Sequence, residues 1–235
     1  MPDRSSRSLI REYLEALLIA VLFATFVRTY VGQVFKIPSG SMEESLLIGD
    51  HIIVNKFIYG GRETGLERVL LPSRDIRRGD VVVFKYPEDP KRDFIKRCMG
   101  LPGDRVEIAD KKLLVNGQEL DEASYTSFVD SRTYPRSIFV HESYRLRDNF
   151  GPYQVPEGHF FCLGDNRDES HDSRYWGPVP ADYVKGRAFL VYWSFEADEE
   201  SGDWPGYAGR IRQLSNVAAR FFTGTRWERS LLLVR

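Results

Sequence analysis

The chain of 235 residues is long enough to bury one large core or two small ones. Its 42% hydrophobic and 29% charged residues are the balance of a folded protein, and a net charge of −1 offers no basic excess to recruit nucleic acid. Two cysteines, Cys98 and Cys162, lack the Cys-x-x-Cys spacing of a zinc site and leave open either one disulfide or two buried thiols.

Near the start, residues 16–27 read Ala-Leu-Leu-Ile-Ala-Val-Leu-Phe-Ala-Thr-Phe-Val without a charge. As helix this run spans only about 18 Å, against a hydrocarbon core of about 30 Å. A membrane anchor must therefore extend over residues 13–34, from Tyr13 to Val34. Tyr13 and Tyr30 would then mark the interfaces, Arg28 would snorkel outward, and Glu15 would lie among the head groups. A cleaved signal peptide fits the charged start, but Arg28 stands where a small-x-small cleavage site belongs. A buried amphipathic helix is opposed by the unbroken apolar run. Arg4, Arg7 and Arg11 precede the segment, so the positive-inside rule places residues 1–12 in the cytoplasm and residues 35–235 beyond the membrane.

The remainder reads as mostly β, in keeping with fifteen Phe, twelve Tyr and four Trp. Predicted strands include 51–57, 81–86, 105–108, 112–115 and 159–163, each a β-branched or aromatic run beside a Gly-Asp or Asn-Gly turn, and the apolar, aromatic run 187–193. No helical period of any length is expected between residues 46 and 200. Residues 118–158 are polar, aromatic and weakly patterned, and look like an insertion hung on the main sheet.

Directly after the apolar run comes Pro38-Ser39-Gly40-Ser41-Met42, whose residue types make a turn inexpensive and also present two hydroxyls. A serine nucleophile needs a base. His51 and His159 open strand-like runs, where packing or surface roles are the ordinary ones, and His141 lies in the irregular insertion. His171 sits in the polar stretch Gly164–Arg174, which reads generically as a solvated loop or a calcium loop, the latter weakened by Arg167 and Arg174. Lys96 is the other candidate: strand alternation puts it on one face with Phe94 and Cys98, with Ile95, Arg97 and Met99 opposite. Lowering a lysine pKa from about 10.4 to about 8 by desolvation costs about 3 kcal/mol and leaves an amine able to take a serine proton.

Taken together, four ordered stretches resemble the boxes of bacterial type I signal peptidases. They are Ile37–Met42 with Leu46–Asp50, then Arg78–Phe84, then Phe94–Arg97 with Gly100–Asp104, and last Gly164–Asp168 with Ser170, Asp172–Arg174 and Tyr175-Trp176-Gly177. The resemblance implies an extracytoplasmic domain of coiled antiparallel β-sheets behind a single-pass inner-membrane anchor, with an inserted β-rich subdomain at about 105–160. It implies Ser41 as nucleophile, Lys96 as general base, Ser39 as oxyanion donor, Ser170 as orienter of the Lys96 amine, and an Asp172–Arg174 ion pair supporting them. It further implies no metal or cofactor, and as partners secretory preproteins with small-x-small cleavage sites, the bilayer and the secretion translocon. Two departures stand out: Glu44-Ser45 replaces the family's usual Pro-Thr, and Glu169 its usual Asn.

Two rival readings remain at this level. Self-cleaving repressors share Ser–Lys chemistry, but no helix-turn-helix pattern precedes the β-body here. An anchored non-enzymatic β-domain that binds secreted proteins would use the polar boxes only as loops.

Overall fold

A computed structural model describes residues 4–26, 32–59, 74–196, 215 and 218–234. Helix α1 (Arg4–Phe26) comes first. The strands follow as β1 (Gly32–Lys36), β2 (Asp50–Asn55), β3 (Val81–Tyr86), β4 (Asp89–Gly100), β5 (Arg105–Ala109), β6 (Lys112–Val115) and β7 (Gln118–Glu119). Helix α2 (Glu142–Asp148), β8 (Phe150–Gln154), β9 (His159–Leu163), the short helix α3 (Ser173–Trp176), β10 (Val179–Pro180) and β11 (Val184–Ser194) continue the chain. One turn of helix α4 (Phe221–Gly224) and β12 (Leu232–Leu233) complete the described elements.

Among the described residues, no helix is long and apolar enough to cross a membrane. The expected span of 13–34 is corrected at its far end. Helix α1 reaches Phe26, and residues 32–34 belong to β1, where Val34 pairs with Ile53 of β2. Arg28 and Tyr30, expected at the interface, lie outside the described residues.

The main sheet runs in the order β1-β2-β11-β3-β4-β9-β10, with β12 paired to β11. Burial follows strand position. Strand β2 alternates, with Ile52 and Val54 inward, whereas β3 is buried almost without break from Val81 to Phe84 because its two faces pack on different clusters, Val81 and Val83 on one and Val82 and Phe84 on the other. The second sheet has the order β7-β6-β5-β8 and spans Arg105–Gln154. Its hairpin between β6 and β7 turns on Asn116 (φ 53°) and Gly117 (φ 80°), the two positive angles that an Asn-Gly turn supplies. Helix α2 was not expected. Its first turn is capped by the His141 side chain, which accepts from Ser143 N–H, and its charged sequence Glu-Ser-Tyr-Arg-Leu-Arg-Asp shows no apolar period.

Three packed clusters fix the frame. One joins Ile37, Met42, Leu46, Ile52, Val54 and Val191, among others, beneath the hydroxyl-rich turn. A second, with Met99, Val106 and Phe161, lies between the two sheets. The third surrounds Val82, Phe84, Cys98 and Cys162. At the C-terminal end, β12 returns to the sheet and Val234 enters the first cluster.

Candidate active site

The turn predicted at Ser39–Met42 is a 3-10 turn over Gly40–Met42 with Ser39 in extended conformation before it. Met42 and Leu46 are fully buried, so their side chains pin the turn to the first cluster. The Leu46 N–H bonds the Met42 carbonyl at 2.7 Å, and the Ile37 N–H bonds the Asp50 carbonyl at 2.8 Å. These contacts hold Ser41 between two anchored points. Its side chain is 8% exposed.

Lys96 arrives from β4, where it stands opposite Val82 of β3. Its Nζ lies 2.5 Å from Ser41 Oγ and 5.6 Å from the centroid of the Phe94 ring. Lys96 as a whole is 4% exposed. Burial pulls its pKa down, the Asp172 and Asp165 carboxylates push back, and the result is about 8. A charged lysine would donate to Ser41, while the neutral amine accepts the hydroxyl proton.

Behind this pair lies a bidentate ion pair that sequence reasoning did not assign. Arg97 donates to both oxygens of Asp165, at 2.8 and 2.6 Å, with both side chains almost wholly buried. Arg97 also reaches Gly79 O at 2.7 Å and Ser45 Oγ at 2.9 Å. The signal was available, because an arginine between Ile95 and Met99 on an apolar strand face must find an acid. Its partner's identity was not, since 68 residues separate the two.

Asp172 and Arg174 do form a bidentate pair, both side chains fully buried. Asp172 also caps helix α3 through the Arg174 N–H and accepts the Gly164 N–H at 3.1 Å. Burial alone would raise its pKa, but the Arg174 charge and these hydrogen bonds prevail and hold it below the usual value. Arg174 further donates to Arg147 O at 2.8 Å and Arg167 O at 2.6 Å, tying the polar stretch together.

Ser170 is placed differently from expectation. Its hydroxyl is buried and makes no hydrogen bond to Lys96. It faces Gly164 and the Asp172 carboxylate, close enough to favour the charged carboxylate but without hydrogen-bond alignment. Ser39 is exposed, and its hydroxyl makes no cap bond to the turn. His171 is exposed, stacks on Tyr175 and meets the Tyr86 hydroxyl at 3.4 Å. Among the described residues no cluster of acidic, His or Cys side chains could hold a metal ion.

Both departures from the resembled boxes have a structural outcome. Glu44 adopts φ 83°, a left-handed angle that the ring of the family's usual proline forbids. Glu169 is exposed, so water screens its charge. Beyond the boxes, Arg229 donates to Asp50 at 2.7 Å and to the Ser45 carbonyl at 3.0 Å, which clips the C-terminal segment onto the loop that follows Ser41.

The family model described as "Signal peptidase, peptidase S26" matches residues 10–193, from within α1 to near the end of β11. The chain belongs to the peptidase S26 signal peptidase family. Signal peptidase I of Pseudomonas fluorescens is 37% identical over 209 residues, covering 80% of this chain and 74% of the relative. Signal peptidase I of Pseudomonas aeruginosa is 36% identical over 222 residues, with 85% and 78% covered. Signal peptidase I of Aquifex aeolicus is 34% identical over 230 residues, with 79% and 85% covered. As a member of this peptidase family the chain is a hydrolase, which removes the non-enzymatic reading. The family match ends before Arg229, while its partners Ser45 and Asp50 lie within it.

Proposed function

We propose that this chain is a membrane-bound serine endopeptidase that removes N-terminal signal peptides from exported preproteins, with Ser41 as nucleophile and neutral Lys96 as general base. The observation that carries the reading is the 2.5 Å approach of Lys96 Nζ to Ser41 Oγ, made by an amine with a pKa of about 8. Near neutral pH a useful fraction of that amine is unprotonated, as a general base requires.

In the first step Lys96 takes the Ser41 proton as Oγ bonds to the scissile carbonyl carbon. The developing oxyanion is met by the Ser41 N–H, which has no intrahelical acceptor at the start of its turn, and by the free hydroxyl of Ser39. The ammonium of Lys96 then returns the proton to the leaving amine, and the signal segment remains as an ester on Ser41. A water deprotonated by Lys96 hydrolyses this ester and restores both groups. Asp172, Arg174 and Ser170 support the site through Gly164 and the loop around it.

An extended preprotein segment can add beside β1, the strand at one end of the sheet, which leads directly into Ser39–Ser41. The N-terminal segment supplies membrane attachment, with the N-terminus cytoplasmic and the β-body on the far side. Leu14, Leu17, Leu18, Val21 and Leu22 of α1 are each more than half exposed, and a bilayer would cover them. The secretion translocon would deliver the substrate at this surface.

The deciding experiment is processing of a preprotein by the purified full chain. Ser41→Ala and Lys96→Ala should each abolish cleavage while far-UV circular dichroism and membrane fractionation stay unchanged. Full activity in either variant would sink the reading.

A further inference from the structure

Cys98 of β4 and Cys162 of β9 are direct partners in the antiparallel register. Both are fully buried free thiols, packed with Val82, Phe84 and Val179. The type of pair follows from where their backbone groups point. Cys98 donates its N–H to Asp80 O and accepts from Gly79 N–H, each at 2.8 Å, so both groups face the β3 side. The Cys162 N–H goes to Ser173 Oγ at 3.0 Å, away from β4. The two residues therefore form a non-hydrogen-bonded pair. Such pairs bring Cα atoms to about 4.5 Å and side chains closest together. That separation lies within the range of about 4.4–6.8 Å that a disulfide spans.

We propose that Cys98 and Cys162 form a disulfide that staples the strand carrying Lys96 to the strand leading into Gly164, with no rearrangement of either backbone. Lys96 lies two positions before Cys98 on the same face, and Gly164 two positions after Cys162. The bond would thus bridge the two halves of the site. The oxidant is an external disulfide, either oxidised glutathione or the disulfide of an oxidising protein. One cysteine thiolate attacks it, breaking the oxidant's S–S bond and forming a mixed disulfide. The second cysteine thiolate attacks the chain's own sulfur in that mixed disulfide, forming the Cys98–Cys162 bond and expelling the oxidant's remaining thiolate. The chain loses two electrons and two protons, and the oxidant gains both as it becomes two thiols. Burial disfavours the Cys162 thiolate, so the exchange belongs to the folding chain before the cluster closes. Once made, the bond is sealed from reductants by the same burial.

The test needs no substrate and is independent of the roles of Ser41 and Lys96. The full chain in detergent is refolded in a buffer of oxidised and reduced glutathione, quenched with acid, alkylated, digested and weighed. A linked Cys98–Cys162 peptide with neither cysteine alkylated is expected, and the oxidised protein should melt roughly 10 °C above its reduced form. Cys98→Ala and Cys162→Ala should each melt at the same temperature in the oxidised and the reduced buffer. Should refolding fail, membranes trapped in acid and alkylated supply native protein for the same peptide map. Alkylation of both thiols in the oxidised sample, or an oxidised form that melts below the reduced one, overturns the proposal.

Discussion

Ser41 Oγ and Lys96 Nζ stand 2.5 Å apart, although 55 residues separate them in the chain. Two unrelated local devices produce that meeting: a buried-Met turn after β1, and a strand whose alternation aims Lys96 at the same spot. Neither device would generate a base alone. The amine becomes useful because the packed clusters around it remove water, and burial lowers its pKa to about 8 against the nearby carboxylates.

The first expectation concerns pH. Under the proposed mechanism Lys96 serves as a base only when neutral, so kcat/KM for a preprotein peptide should rise with pH through about 8 and level off above it. Below that value each unit of acid should cost close to tenfold. Lys96→Arg keeps the charge at all accessible pH and should be inactive throughout. A flat profile between pH 6 and 9 would count against a base with this pKa.

The same shift has a stability sign. The folded pKa of about 8 lies below the ordinary 10.5, so protonated Lys96 opposes folding below pH 8, and the penalty fades between about 8 and 10.5. Lys96→Met keeps the length and removes the charge. At pH 7 it should gain up to about 3 kcal/mol over the native chain while losing all activity. Denaturant titrations at pH 7 and pH 10.5 check this, since the advantage should shrink at the higher pH.

Gly164 lies where a side chain cannot. A Cβ there would collide with the Ser170 hydroxyl and come within 2.5 Å of the Ser41 carbonyl oxygen, a backbone atom. Gly164→Ala should therefore displace the Ser41 turn against the polar loop. A misplacement near 1 Å costs about 100-fold in rate, and kcat should fall by that order with the chain still folded. Single-turnover kinetics beside a thermal melt separate the two effects.

Breaking the Asp172–Arg174 pair is expected to destabilise rather than merely slow the enzyme. Both side chains are fully exposed to one another and closed to water, so Arg174→Met strands a buried carboxylate, at about 3–5 kcal/mol. The Asp172 pKa is lowered in the fold, so its contribution is fully present above pH 3.8 and lost as acid titrates the folded carboxyl below that. Urea midpoints at pH 7 and pH 3 measure it. The native chain should lose stability on acidification, and Arg174→Met should lose less.

Glu44 offers a gain. A non-glycine residue at φ 83° costs on the order of 1 kcal/mol, so Glu44→Gly should stabilise the chain by about that amount. Glu44→Pro should destabilise it, because the ring holds φ near −65°. Comparing the two melting temperatures with the native one tests whether this loop has settled into its own backbone shape.

Much of this was legible before any coordinates. The hairpin at Asn116-Gly117, the buried strand at 81–84 and the turn at Ser39–Met42 rest on turn chemistry and side-chain alternation, which are local. The short helix α2 was not legible, because it rests on a cap and on burial of its own Arg147 and Asp148 rather than on an apolar period. The far end of the proposed anchor differs for a related reason: the apolar run stops at Val27, membrane length alone carries the span on to Val34, and backbone pairing with β2 claims residues 32–34 as strand.

What the sequence determined by itself is a mostly β body and the inventory of chemical groups, because both follow from neighbours along the chain. The tertiary structure decided which groups meet and in what medium. It paired Arg97 with Asp165, turned Ser170 toward Asp172 instead of Lys96, and set Cys98 against Cys162. Above all it dried the Lys96 amine, since desolvation is the work of residues far away in sequence and no local pattern records them.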